Sequence, residues 1–156
     1  FALMLKAFRQ GYAYVVYIDA DCLICDMQAD LREAIGEDNL GMLYGQTPGG
    51  EPFHFNVGVI YARRTQRVIE LLETMLKRQA QTTPPGPWWN DPTNEQCVIN
   101  ELLQTPYFSG LCKPIERRWN CIERFGAEAN AVVLGWHGIP TETEKLRLLE
   151  AAVKDG

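Results

Sequence analysis

The chain has 156 residues, of which 46% are hydrophobic, 22% charged and 10% aromatic, as expected for a soluble globular domain with a packed core. Lys and Arg number 15 against 20 Asp and Glu, and this net charge of −5 argues against a protein whose main ligand is nucleic-acid phosphate. No apolar run approaches the roughly 18 residues that cross a bilayer, and the composition is not that of a long disordered region.

The first predicted elements are a helix and a strand. Apolar residues at helical spacing predict a helix over Phe1–Gln10, which Gly11 ends. The chain opens FALMLKAF, without an initiator Met or a signal-peptide pattern, and we expect sequence upstream of it to be missing. The run Tyr12–Ile18, YAYVVYI, has no polar alternation, which is typical of a strand buried on both faces in a parallel sheet.

Helices and strands alternate along the rest of the chain. The patterns predict helices at Met27–Ile35 and Thr65–Gln79, two more opened by capping boxes at Thr93 and Thr141, and strands at Gly41–Tyr44, Phe55–Ala62 and Ala131–Gly135. Glycine and proline place loops at residues 45–52 and 82–92. We therefore predict one α/β domain over residues 1–156, built on a mostly parallel sheet with flanking helices.

The five cysteines indicate no zinc site. Cys22 and Cys25 form a CxxC pair, but the other three are spread too widely to supply a second knuckle. We predict buried or half-buried thiols in a reducing compartment, and hence a cytoplasmic location.

The strand Tyr12–Ile18 ends in two carboxylates. Asp19 and Asp21 follow it directly, and ligands of open α/β sheets bind beyond the carboxyl ends of strands. If the backbone stays extended, both side chains point to one side, where Mg²⁺ or Mn²⁺ would relieve their repulsion. The alternative is that the two residues only terminate the strand and cap the following turn.

Four motifs occur in the order and spacing of a known family: YVVYIDAD at residues 14–21, FNVGV at 55–59, EQCVIN at 95–100 and WHG at 136–138. Over Phe1–Pro140 the sequence resembles the metal-dependent glycosyltransferases of the GT-A fold, particularly the glycogenin-like and galactosyl/mannosyltransferase groups. The resemblance implies transfer of a sugar from a nucleotide-diphosphate donor to a saccharide or other hydroxyl acceptor.

The resemblance also implies a cation, Mn²⁺ or Mg²⁺, that stabilises negative charge on the departing diphosphate. Its ligands would be Asp19, Asp21 and His137, and Asp19 would reach the metal, the ribose or both. An imidazole ligand favours Mn²⁺. The alternative for His137 is a histidine without a ligand, in the core or on the surface.

The remaining candidate residues would contact the sugars. Asn56 and Gly58 would line the donor or acceptor pocket, although Gly58 could equally allow a helix to pack closely. Asp91, Glu95 and Gln96 would form the catalytic group, hydrogen-bonding sugar hydroxyls and, in an inverting enzyme, supplying the general base. The alternative is that these residues only complement the dipole of the following helix.

The sequence departs from the family in one respect and leaves two other hypotheses open. In GT-A enzymes a βαβ region that binds base and ribose precedes the DxD motif, which here begins at position 19. One alternative is therefore a non-catalytic module that binds carbohydrate or protein. The other is a haloacid-dehalogenase-like phosphatase, which Leu23 at the fifth motif position and the lack of a later acidic pair oppose.

Overall fold

The structure, a computed structural model, describes residues 1–45, 54–81, 95–122, 128–135, 143–144 and 146–147. Three helices have defined bounds there: α1 (Ala2–Arg9), α2 (Gln66–Gln81) and α3 (Glu95–Gln104). The strands of the described ranges are β1 (Tyr14–Ile18), β2 (Cys22–Ile24), β3 (Leu40–Tyr44), β4 (Phe55–Arg63), β5 (Cys112–Pro114), β6 (Cys121–Ile122) and β7 (Val133–Gly135). Residues 143, 144, 146 and 147 are helical as well.

The strands form two small mixed sheets. One has the order β1-β4-β3-β5 and the other β2-β7-β6. The α/β class is confirmed, but the expected mostly parallel pairing is wrong for the described strands. Three of their five pairings are antiparallel, namely β1 with β4, β3 with β4 and β2 with β7.

The error over strand direction arises from β1. Its side chains alternate between two cores: Val15 and Tyr17 pack against one, and Tyr14, Val16 and Ile18 against the other. A strand covered on both faces lacks polar alternation whatever the direction of its neighbour. The pattern therefore predicted the burial correctly, whereas the direction depends on β4, which runs antiparallel to β1.

Helices cover one face of the four-stranded sheet. Met4, Leu5 and Phe8 of α1 are buried against a core that includes Leu72 of α2 and Ile99 of α3. Full burial of each such side chain contributes about 1.5–3 kcal/mol to folding. This core holds α3 against β4, which matters for the site below.

The second core lies on the opposite face of the sheet. Tyr61 of β4 packs edge-on against Trp119, with ring centroids 6.0 Å apart, and its hydroxyl donates to the Trp119 carbonyl at 2.7 Å. Trp119 belongs to the 3-10 turn Arg117–Asn120, which leads directly into β6. The second sheet is thereby fixed to this face of the first, at the position where Tyr61 pairs with Val16 of β1.

Short elements account for the other differences from prediction. The helix expected at Met27–Ile35 is a 3-10 turn over Leu31–Ala34, because Asp30 caps it by accepting a hydrogen bond from the Arg32 amide at 3.0 Å. Strands β2, β5 and β6 have only two or three residues and no periodic pattern. Of the loops predicted at 45–52 and 82–92, all residues except Gly45 lie outside the described residues.

The structure bears on one property of the whole chain, the presence of membrane-spanning helices, and leaves two other predictions untested. In the part of the chain that the structure describes, no helix is both long and apolar enough to span a bilayer. The single domain over 1–156 and the cytoplasmic location stay predictions.

Candidate functional site

The carboxylates Asp19 and Asp21 lie in a tight turn between the two sheets. The Asp19 amide still donates to the Gly58 carbonyl at 2.8 Å, and the Cys22 amide then donates back to the Asp19 carbonyl at 3.1 Å. The premise of an extended backbone through Asp21 is therefore wrong, because the chain turns here to leave the first sheet and enter β2. Both carboxylates belong to this turn.

The turn is strongly acidic in character. Tyr17 donates its hydroxyl to Asp19 Oδ1 at 2.6 Å, and burial together with this bond raises the pKa of Tyr17 above its ordinary value. Burial, followed by the charges of Asp21 and Asp19, raises the pKa of Cys22 to about 12. Burial is the largest cause of both shifts, and the two carboxylates add to it.

Strand β4 is irregular where it passes this turn. Met42 of β3 pairs with Ile60, but the next residue, Leu43, pairs with Asn56, so Gly58 lies within a register shift. Such irregularities redirect side chains and are frequent beside binding sites. Here Asn56 Oδ1 accepts hydrogen bonds from the Gly58 amide and from Asn120 Nδ2, each at 3.0 Å.

The first turn of α3 is fixed to β4 by Asn100. Its Oδ1 accepts from the Phe55 amide at 2.7 Å, while its Nδ2 donates to the carbonyls of Phe55 at 3.0 Å and Gln96 at 2.7 Å. The Asn100 side chain thus pairs with Phe55 as a neighbouring strand would. Glu95, the first residue of α3, lies close enough to raise the pKa of Tyr17 by its charge.

The structure brings most of the predicted site residues together and leaves two undetermined. The end of β1, the irregular part of β4 and the start of α3 converge, carrying the predicted residues Asp19, Asp21, Asn56, Gly58, Glu95 and Gln96. Asp91 and His137 lie outside the described residues. Strand β7 ends at Gly135, the register partner of Cys22, two residues before His137 in the sequence.

The described residues contain no cluster of three or more His, Cys, Asp or Glu side chains suited to a metal ion. Asp19 and Asp21 are nevertheless oxygen donors of the kind that Mg²⁺ or Mn²⁺ takes in phosphate-transfer sites, where one or two protein carboxylates are joined by phosphate oxygens. The hydroxyl of Tyr17 already occupies one Asp19 oxygen. The metal and its ligands stay a prediction.

Three side chains of this region escaped sequence reasoning. Asn100 stands in the quoted EQCVIN motif, but the motif gives no role for it. Tyr17 is one of several aromatic residues in a buried run. Asn120 is completely buried, and its only signal is a polar residue in the otherwise apolar stretch WNCI.

The cysteines have no part in this geometry beyond Cys22. None of the five forms a disulfide; Cys25 is exposed and the other four are buried or half-buried. Burial raises the pKa of Cys112 and of Cys25 as well. The thiols of Cys22, Cys25 and Cys112 are therefore protonated and weakly reactive at neutral pH.

Comparison with known proteins shows the fold. No protein-family model matches the sequence, and neither does any curated protein. Among solved structures, a glycosyltransferase involved in glycosylation of the major capsid of PBCV-1 has 15% sequence identity and a TM-score of 0.68, with 96% of this chain and 73% of that one covered.

Two further structures agree. The bifunctional glycosyltransferase WbbM gives 14% identity and a TM-score of 0.56, over 88% of this chain and 30% of that one. The glycosyltransferase GlyE of Streptococcus pneumoniae gives 17% and 0.54, over 97% and 42%. The chain therefore has a fold found in glycosyltransferases, while spanning less than half the length of these last two.

Proposed function

We propose that this chain carries the catalytic site of a metal-dependent glycosyltransferase, which moves a sugar from a nucleotide-diphosphate donor to a hydroxyl acceptor. The observation that carries the proposal is the convergence of the Asp19–Asp21 turn, Asn56 and the start of α3 at one place. The likeness of the fold to glycosyltransferase structures supports it.

In this proposal the acidic turn holds the cation. Asp19 and Asp21, with His137, supply its protein ligands, and the cation offsets the charge that develops on the leaving diphosphate. Tyr17 holds one oxygen of Asp19, so that the carboxylate has a fixed orientation before ligand arrives. A fixed orientation avoids reorganisation when the charge develops.

The start of α3 faces the sugar in this proposal. Glu95 and Gln96 hydrogen-bond sugar hydroxyls, and in an inverting enzyme Glu95 or Asp91 accepts the proton of the acceptor hydroxyl. A general base must lie within about 3 Å of that proton's oxygen, directly or through one water. Asn100 keeps this turn of the helix at the entrance of β4.

Calorimetric titration of Mn²⁺ with UDP, and then with GDP, tests the proposal. We expect binding that requires the metal, and loss of at least tenfold in affinity in Asp21→Asn with far-UV circular dichroism unchanged. Asp38→Asn is the matched control, because Asp38 is an exposed carboxylate paired with Lys113 at 2.8 Å. Wild-type affinity in Asp21→Asn would contradict the metal role, and loss of the fold would identify Asp21 as a structural strand terminator.

A second candidate is the non-catalytic module that binds carbohydrate or protein. Release of free nucleotide diphosphate from a sugar nucleotide separates the two candidates, since only the transferase releases it. The three solved structures reported above do not support the phosphatase alternative.

A further inference from the structure

Hydrogen bonds inside the protein determine the orientation of the Asn56 side-chain amide. The Gly58 N–H lies 3.0 Å from the Asn56 side chain and needs an acceptor. Of the two amide atoms only the oxygen can accept, so Oδ1 is the atom that faces Gly58. Asn120 Nδ2 donates to the same oxygen at 3.0 Å. An amide oxygen has two lone pairs, and both are therefore occupied by the protein. Among the described residues no hydrogen bond uses the NH₂ group of Asn56, which is half-buried beside the Asp19 turn.

Asn120 donates to Asn56, while the oxygen of its own side-chain amide stays without a hydrogen bond in the described part of the chain. The residue has no exposed surface and ends the 3-10 turn Arg117–Asn120, where the preceding Trp119 is buried and its carbonyl accepts from Tyr61. Because Nδ2 points at Asn56, the Asn120 oxygen is a buried acceptor with no hydrogen-bond partner among the described residues. Buried acceptors are nearly always paired, and stability alone would favour an apolar residue or a fully paired one here.

We infer that Asn120 is a positioning residue for the proposed transferase site: it occupies the oxygen of Asn56, so that the Asn56 NH₂ group is the one presented to ligand. This NH₂ group donates to an oxygen of the sugar nucleotide, on the diphosphate or on the sugar. The inference rests on the proposed function for the identity of the ligand. The orientation of the amide follows from the protein's own contacts.

The location of Asn56 supports a ligand oxygen as the acceptor. Gly58, which donates to Asn56, accepts in turn from the Asp19 amide at 2.8 Å, so the Asn56 amide and the acidic turn share one hydrogen-bonded stretch of backbone. A cation held by Asp19 and Asp21 would bring anionic and hydroxyl oxygens to this place. An NH₂ donor is complementary to both, whereas an amide oxygen would repel phosphate.

Asn56→Asp is the most informative variant. The introduced carboxylate keeps an oxygen for the Gly58 amide and for Asn120, so the internal bonds persist, but the outward NH₂ becomes an oxygen. Asn120→Ala removes the second donor and leaves Asn56 otherwise intact. Asn130→Ala, at an exposed asparagine, is the matched control.

The experiment combines calorimetry of UDP and UDP-glucose in Mn²⁺ with NMR of the side-chain amides in the ligand-free chain. We expect Asn56→Asp to weaken binding tenfold or more, and Asn120→Ala to weaken it several-fold while shifting the Asn56 side-chain signals. If only the affinity for UDP-glucose falls, the oxygen that accepts the hydrogen bond from Asn56 is on the sugar. If the affinity for UDP falls equally, that oxygen is on the diphosphate. Asn120→Ala should have no further effect on affinity in an Asn56→Ala background, which a general destabilisation would not reproduce.

Two results would overturn the inference: wild-type affinity in Asn56→Asp, or wild-type affinity and unchanged Asn56 signals in Asn120→Ala. Failure of the wild-type chain to bind either nucleotide would instead overturn the proposed function and, with it, the ligand assigned to the NH₂ group. In that case the NMR comparison still decides whether Asn120 orients Asn56.

Discussion

Replacement of Asn100 by alanine should destabilise the chain more than any other loss of a single polar side chain on α3. Asn100 is only 4% exposed and makes three hydrogen bonds, two of them to the backbone of Phe55. Strand β1 pairs with β4 only from Val59 onward, so at Phe55 the side-chain amide takes the place that a neighbouring strand would have. Alanine leaves that backbone without a partner.

The expected magnitude follows from which groups lose their partner. The Phe55 amide and carbonyl each lose one hydrogen bond, and an unsatisfied buried polar group costs about 1–3 kcal/mol. Phe55 is half-buried, so water can partly replace the lost partner. We expect a total of about 2–4 kcal/mol, a large share of the roughly 5–15 kcal/mol that stabilises a typical domain.

Urea denaturation monitored by circular dichroism measures this cost as a lower midpoint at unchanged slope. Gln104→Ala is the control, since Gln104 lies exposed at the end of the same helix and should change the free energy of unfolding by less than about 0.5 kcal/mol. In Asn100→Asp the introduced carboxylate faces two carbonyl groups, and burial raises its pKa, so this variant should gain stability as the pH falls below 7. An Asn100→Ala variant as stable as Gln104→Ala would refute the reasoning.

Two further predictions concern packing and pH. In Gly41→Ala the added Cβ would lie 2.3 Å from Ile35 Cγ2, inside a buried core, and should lower stability by about 1–3 kcal/mol; Gly45→Ala, whose Cβ would have its nearest neighbour at 3.7 Å, should leave the thermal midpoint unchanged. Burial raises the pKa of Tyr61 above its ordinary value of 10.0, so its contribution to stability is complete below pH 10 and is lost as the pH rises further, because the unfolded chain ionises first. Tyr61→Phe removes the hydrogen bond to Trp119 and should lower the free energy of unfolding by about 1 kcal/mol at pH 7. Above pH 10 the stability of this variant, measured by urea denaturation, should fall less than that of the wild type. An equal fall in both proteins would show that Tyr61 does not titrate in this way.

The longer elements of the fold could be predicted because each carries a pattern over many residues. The periodic apolar residues of α2 and the β-branched run of β4 gave boundaries within about two residues of the observed ones. The region Met27–Ile35 failed because aspartates compete with helix formation there. Asp26 accepts from the Gln28 amide at 2.9 Å and Asp30 from the Arg32 amide, and each bond closes a local turn.

Only those residues of the candidate site that stand in recognisable sequence motifs could be predicted. Asp19, Asn56 and Glu95 were identified because each follows or opens a recognisable element, and the structure brings those elements together. Asn120 could not be found in this way, since its contact with Asn56 joins residues 64 positions apart across the junction of two sheets. Gly58 inside the strand is a local signal of the irregularity in β4, but it does not indicate which residue Asn56 contacts.

One structural cause explains why polar side chains gather at this point. Strand β1 turns away at Asp19, and the backbone of β4 beyond that point needs other partners. Side-chain amides supply them: Asn100 bonds to Phe55, and Asn56 bonds to Gly58. The end of β1 therefore creates a demand for side-chain amides next to the turn that carries the two carboxylates. At Asn56, truncation to alanine would remove the bond to Gly58 and the inferred ligand contact together, so an isosteric exchange such as Asn56→Asp is needed to separate the two effects.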